Sequence, residues 1–252
     1  MSDFRIGWLF PDTLFLHGER GNVLALARYA ELSGFSHSVT KIDFDTENFD
    51  PLDFDVLFAA SGEISSFPYV RDWLMPYKDK LEDFIENGHP LIVTGTTCGL
   101  FGGKTMRSDG TEIEGLGILR SEMTERGYIY GDDVLFRCKY NDVDMEIAGP
   151  QVSMGDIDIA DEEPFGELEY GYGNTGKDRQ EGIIRGNSIF TNTLGPMLVH
   201  CPWLTVEIIR AAAWASGKPC ADTVYDMELE KKSFEMKKNF ILSKQTNLTN
   251  CK

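Results

Sequence analysis

Strand-like runs alternate with helix-length amphipathic segments through the first hundred residues, and that alternation leaves few folds open. The strand candidates are Phe4 to Phe10, Ser36 to Phe44, Asp55 to Ala60 and Leu91 to Thr94. Between the first two, Val23, Leu24, Ala27, Ala30 and Leu32 recur at near-helical spacing in a segment, Gly18 to Gly34, that ends on a glycine stop. Between the last two, Trp73, Leu74, Tyr77, Leu81, Phe84 and Ile85 repeat every three or four residues, which predicts one helix over Trp73 to Asn87. Continuously apolar strands are buried on both faces, and strand–helix alternation favours parallel pairing. The expected class is therefore α/β, a central, mostly parallel sheet with helices on both faces. Ligands bind such sheets at the carboxyl ends of the strands. Two turns of small residues lie at such ends, Ala60-Ser61-Gly62-Glu63 and Gly95-Thr96-Thr97-Cys98-Gly99, and chemistry is expected there.

Charge and cysteine usage narrow the function classes. The 252 residues carry 41 Asp and Glu against 24 Lys and Arg, a formal net charge of −17, so nucleic acid is not an expected partner. No apolar run reaches the ~20 residues of a membrane span. The opening Met1-Ser2-Asp3-Phe4-Arg5-Ile6 is too short and too acidic to read as a secretory leader. Five scattered cysteines (Cys98, Cys138, Cys201, Cys220, Cys251) contain no C-x-x-C pair, which argues for reduced thiols and a cytoplasmic location. Four histidines (His17, His37, His89, His200) show no metal-binding spacing, and neither a metal nor a cofactor is expected.

The second half has a different texture. Gly127 to Ile129, Val134 to Tyr140, Met145 to Ala148, Leu168 to Tyr170, Gly182 to Arg185 and Ser188 to Asn192 read as short strands, and Leu204 to Ser216 as a helix. The tail from Tyr225 to Leu242 is charged and helix-prone, and the last ten residues are expected to fray. No repeat and no linker interrupts the chain, so residues 1–221 are expected to form one domain and residues 222–252 a charged helical C-terminal extension.

Two blocks of sequence carry a family resemblance. Phe10-Pro11-Asp12 with Gly18-Glu19-Arg20-Gly21-Asn22-Val23-Leu24-Ala25-Leu26 forms the first. Tyr170-Gly171-Tyr172-Gly173-Asn174-Thr175-Gly176-Lys177-Asp178, then Glu181-Gly182-Ile183 and Gly195-Pro196, forms the second. Together they resemble the class I glutamine amidotransferases related to cobyric acid synthase, and within these the GatD-type glutaminase subunit of lipid II isoglutaminyl synthase. The resemblance spans roughly residues 4 to 215. It implies a flavodoxin-like sheet and a cysteine on the turn after a strand that attacks the glutamine amide. It also implies a histidine at a later strand end as base and acid, and two backbone N–H groups that hold the oxyanion. The ammonia released would go to a Mur-ligase-like or other acceptor-activating subunit. The chemistry rests on a thiolate whose pKa an adjacent His lowers, and on donors aimed at the developing charge.

The chain departs from that pattern at both reacting positions. The family reads Gly-x-Pro, four residues, then Cys-Gly-Gly-Tyr-Gln-Leu-Leu-Gly. Here Gly88-His89-Pro90 is followed by Leu91-Ile92-Val93-Thr94 and then Gly95, while Leu100-Phe101-Gly102 matches the far flank. Without a gap, Gly95 falls at the nucleophile position and Cys98 three residues beyond it. Matching Cys98-Gly99 to the family's Cys-Gly requires a three-residue insertion in a buried strand or its turn, which would also exchange the strand's faces. The family's Thr-Tyr-Leu-His-Gly-Pro is here Thr191-Asn192-Thr193-Leu194-Gly195-Pro196, so Leu194, which accepts no proton, stands where the base should be. The oxyanion turn Gly-Gly-Gly-Gln becomes Ala60-Ser61-Gly62-Glu63, and the Glu63 charge opposes an oxyanion.

Two main functional expectations follow. The first is a non-catalytic amidotransferase-like subunit that keeps the fold and the partner surface; glutamine or a small carboxylate is the ligand its pocket would take. The alternative is an active glutaminase with a rearranged site, using Cys98 as nucleophile and His200 as base. Ser61, Thr96 and Thr97 could serve a different hydrolase, but no G-x-S-x-G elbow is present, and turn hydrogen bonding is the role expected of them.

Overall fold

The computed structural model describes residues 3–220 and 225–250. β1 (Asp3–Leu9), α1 (Arg20–Leu32), β2 (Ser36–Ile42) and β3 (Val56–Ala59) open the chain in the predicted alternation. Where one helix was predicted over Trp73 to Asn87, the structure has α2 (Phe67–Leu74), a single 3-10 turn (Met75–Tyr77) and α3 (Lys78–Glu86). Pro76 explains the break, because it lacks the N–H that would continue the ladder and clashes with the preceding turn. β4 (Leu91–Thr94) leads through a 3-10 turn (Gly95–Thr97) into the short α4 (Cys98–Phe101). There follow β5 (Lys104–Met106), β6 (Glu112–Glu114), the long β7 (Glu122–Tyr140) and β8 (Val143–Asp158), then β9 (Gly166–Tyr170), β10 (Gln180–Glu181), β11 (Ile183–Arg185) and β12 (Ser188–Thr191). α5 (Met197–His200), α6 (Pro202–Ala215) and α7 (Glu228–Asn250) complete the order.

The central sheet runs β11-β12-β4-β3-β1-β2 and is parallel except for β11, which pairs antiparallel with β12. Its strands obey the two-residue alternation. Val56 and Phe58 point into one hydrophobic cluster with Leu26, Ala30, Leu204 and Ile208, while Leu57 and Ala59 point into the other with Phe67, Leu81 and Phe84. Helices therefore cover both faces, α1 and α6 on one side, α2 and α3 on the other.

A second sheet is ordered β10-β9-β7-β5-β6 with β8 paired along β7, and β8 meets the loop after β12 of the first sheet. The stretches read separately as Gly127 to Ile129 and Val134 to Tyr140 belong to one 19-residue strand, β7, with a register shift between Glu125 and Tyr130. Gly131, Asp132 and Asp133 interrupt the apolar pattern there, although β8 supplies the backbone partners.

α7 lies on the β7–β8 hairpin. Phe234 meets Trp203 edge-on at 4.9 Å, Ile241 is fully buried, and Lys237, Lys238 and Lys244 pair with Asp133, Glu146 and Asp132. The helix runs to Asn250, beyond Leu242 where fraying was expected, because no glycine or proline interrupts it. The expected boundary at residues 221 and 222 lies outside the described residues, as does Cys251. Among the described residues no helix is long and apolar enough to cross a membrane.

Candidate functional site

The strand ends of β3, β4 and β12 converge on Gly95. This residue has φ +61°, left-handed backbone that glycine adopts without the Cβ penalty. A sharp strand-to-helix turn of this kind is where α/β hydrolases carry a nucleophile. A Cβ built on Gly95 would lie 2.5 Å from Ser61 Oγ, 2.7 Å from Ser61 Cβ and 2.9 Å from Leu194 Cδ2. The structure thus brings Ser61, Gly95 and Leu194 to a single point. All three are buried, Leu194 at 1% exposure. The Leu194 N–H donates to Pro150 O at 2.8 Å, so β8 fixes this segment against the turn.

The amides and hydroxyls of the two turns are engaged with each other. Thr96 N–H donates to Ser61 Oγ at 3.3 Å, and the two hydroxyls lie 3.0 Å apart. The Thr96 hydroxyl donates to Gly62 O and the Thr97 hydroxyl to Ala60 O. Gly62 is closed from the other side by the Leu14 side chain, which a Cβ at Gly62 would strike. Glu63 is exposed and accepts from Ser65 Oγ at 3.2 Å. Ser61, Thr96 and Thr97 make the turn hydrogen bonds expected of them.

Cys98 opens α4 with its sulfur inward, 3% exposed. Its Sγ–H faces the carbonyls of Val93 at 3.7 Å and Thr191 at 3.6 Å. Burial pushes its pKa well up, and the nearby carboxylates of Glu181 and Glu19 push the same way. Reactive cysteines sit in electropositive, partly exposed surroundings, whereas Cys98 is buried near two carboxylates. His200 stands exposed at the end of α5.

Two buried carboxylates were missed as site residues from the sequence. Glu19, the residue before α1, accepts from Ser61 N–H at 2.9 Å and from the Thr94 hydroxyl, both on Oε2. The Gly195 N–H supports it more weakly, while Oε1 is buried without a hydrogen bond of ordinary geometry. Burial raises its pKa to about 7 against these donors. Glu181, fully buried, accepts from the Thr191, Asn192 and Thr193 segment, and burial raises its pKa as well. Both acids lie inside the two blocks that carry the family resemblance, which was the available signal. Among the described residues no cluster of His, Cys, Asp or Glu is arranged to hold a metal ion.

No family model matches the sequence. The chain is 28% identical to the GatD subunit of lipid II isoglutaminyl synthase (glutamine-hydrolyzing) from Staphylococcus aureus, over 91% of this chain and 93% of that protein. It is 25% identical to the corresponding GatD subunit of Streptococcus pneumoniae, over 82% of this chain and 79% of that protein. Among solved structures, PurLQS from Thermotoga maritima superposes with a TM-score of 0.51 at 14% identity, covering 85% of this chain and 97% of that one. A glutamine amidotransferase from Methylobacillus flagellatus gives a TM-score of 0.50 at 11% identity, covering 89% and 98%. At such identities the structures speak for the fold, and the sequence likeness speaks for the branch. In sequence the chain is similar to the GatD subunits of lipid II isoglutaminyl synthase, and in fold it is similar to glutamine amidotransferases.

Proposed function

We propose that this chain is a non-hydrolysing GatD-like subunit that works by binding or regulating a Mur-ligase-like, acceptor-activating partner. The observation that carries the reading is the meeting of Gly95 and Leu194: the turn suited to a nucleophile holds a glycine, and a leucine side chain leans over it. A glycine carries no thiol or hydroxyl to attack an amide, and Leu194 has no imidazole to take a proton. The relatives, which by name are subunits of a lipid II isoglutaminyl synthase, support a partner subunit, and its Mur-ligase-like kind is what the family resemblance implies. A cytoplasmic, cell-wall-related role belongs to the same proposal.

The rival reading, glutamine hydrolysis by Cys98, has in its favour a Cys-Gly pair in the right turn. Against it stand the burial of the sulfur, its bonds to carbonyls and its raised pKa. Purified protein, alone and with a co-expressed Mur-ligase-like protein, is expected to release no ammonia from glutamine above the rate of a heat-denatured control. Cys98→Ala should leave that result unchanged. Turnover abolished by Cys98→Ala would establish the rival reading. Turnover that survives the substitution would exclude both. Co-purification of the two proteins as a stoichiometric complex is expected, and two separate elution peaks would remove the partner.

A further inference from the structure

Glu19 touches every element that converges on the closed site. It accepts the amide of Ser61 from the turn after β3, the hydroxyl of Thr94 at the end of β4, and a weaker contribution from Gly195 in the loop after β12. Its partners are amide and hydroxyl donors, with no cation among them. Asn22 on α1 ties α5, the helix that follows this loop, by accepting from Leu198 N–H at 2.9 Å. We propose that Glu19 is a protonation-controlled clasp: neutral, it holds the three strand-end turns closed, and ionised, it releases them toward solvent. The inference goes beyond the proposed loss of hydrolysis and stands on the bonds of Glu19, so it survives if that reading fails.

The physics is that of a charge with too few partners. A carboxylate buried among neutral donors, with no cation beside it, is destabilised relative to the same group in water. Opening the turns returns it to water, so deprotonation and opening are linked. The sign follows from the raised pKa of about 7: closure is fully favoured below the ordinary carboxylate range and is weakened as pH rises through neutrality.

Other titratable groups border this cluster. Cys98 on α4 stays a neutral thiol over the range, because burial raises its pKa. Glu181 on β10 is also pushed up by burial and shifts stability in the same direction. His17 in the loop before α1 has its pKa lowered by partial burial, so its neutral form is favoured and it shifts stability in the opposite sense, with stability lost as pH falls. Arg20, Glu63 and His200 are exposed on α1, the β3 turn and α5. Glu19→Gln isolates the clasp, since the amide oxygen can accept from Ser61 and Thr94 as the neutral acid does.

The test is amide hydrogen exchange at Ser61, Thr96 and Leu198 in the full chain between about pH 5 and pH 8, corrected for intrinsic exchange. In the wild-type protein the local opening constant should rise by roughly tenfold or more across this range, and Glu19→Gln should flatten the profile. Carbon-13 shifts of the Glu19 carboxyl, followed in the same samples, should titrate well above the ordinary carboxylate range. They decide the matter alone if the variant does not fold. A wild-type profile with no pH dependence, an unchanged profile in Glu19→Gln, or a Glu19 titration in the ordinary range would overturn the clasp.

Discussion

Gly95→Cys combined with Leu194→His is expected to lower stability by about 2–4 kcal/mol and to restore no glutaminase activity, even though it rewrites both family positions. The left-handed backbone at Gly95 costs a residue with a Cβ about 1 kcal/mol or more. The new side chain must also enter space held by Ser61 Oγ and Leu194, and overpacking of a dense core adds about 1–3 kcal/mol. Replacing Leu194 removes one of the two obstructions and puts a polar ring in its place, but Ser61 remains, and it also engages the Thr96 amide. An oxyanion would find that donor occupied and the Gly62 turn closed by Leu14. Denaturant midpoints give the stability loss, and an ammonia-release assay gives the activity. Adding Ser61→Gly should recover part of the loss by about 1 kcal/mol, because the two positions are in contact and couple. Full stability together with steady glutamine turnover in the double variant would mean that the turn opens readily and that only two side chains separate this chain from a working enzyme.

How much of this was legible in the chain depends on the range of the interaction concerned. The strand–helix alternation is carried by local apolar spacing, and it placed β1, α1, β3 and β4 correctly. The periodicity from Trp73 to Ile85 runs through Pro76, and the backbone follows the proline rather than the periodicity. β7 was cut in two because Gly131-Asp132-Asp133 has no local strand signal, and its continuity comes from β8. Counting from both flanks singled out Gly95 and Leu194, and the fold sets their side-chain positions against each other. Glu19 and Glu181 were illegible as site residues for a different reason. A carboxylate reads as surface until its donors are known, and those of Glu19 come from 42 and 75 residues away.

Glu181→Ala is expected to be the most damaging single substitution in this region, at about 4 kcal/mol or more. Its Oε1 accepts from the Thr191 hydroxyl at 2.5 Å, the Asn192 amide at 3.0 Å and the Thr193 hydroxyl at 3.1 Å, while Oε2 accepts from Asn192 Nδ2 at 3.1 Å. Alanine would leave these donors buried beside a void, and each unsatisfied donor costs about 1–3 kcal/mol before relaxation. Glu181→Gln should cost far less, about 1–2 kcal/mol, since its amide oxygen can take the three Oε1 bonds and only the Asn192 Nδ2 contact meets a second donor. The pH dependence separates charge from hydrogen bonding. Burial raises the folded-state pKa of Glu181, so its contribution to stability is full below the ordinary carboxylate range and declines as pH rises through that raised value. The glutamine variant has no such decline, and its deficit against the wild type should shrink as pH increases. Urea midpoints for the three proteins at two pH values decide the point. Equal losses for Ala and Gln would show that the hydrogen bonds contribute little, and a deficit for Gln that grows with pH would show that the ionised acid is the favoured form. With these bonds intact, β10 of the second sheet holds the end of β12 in the first, and the loop bearing Leu194 is thereby kept over Gly95.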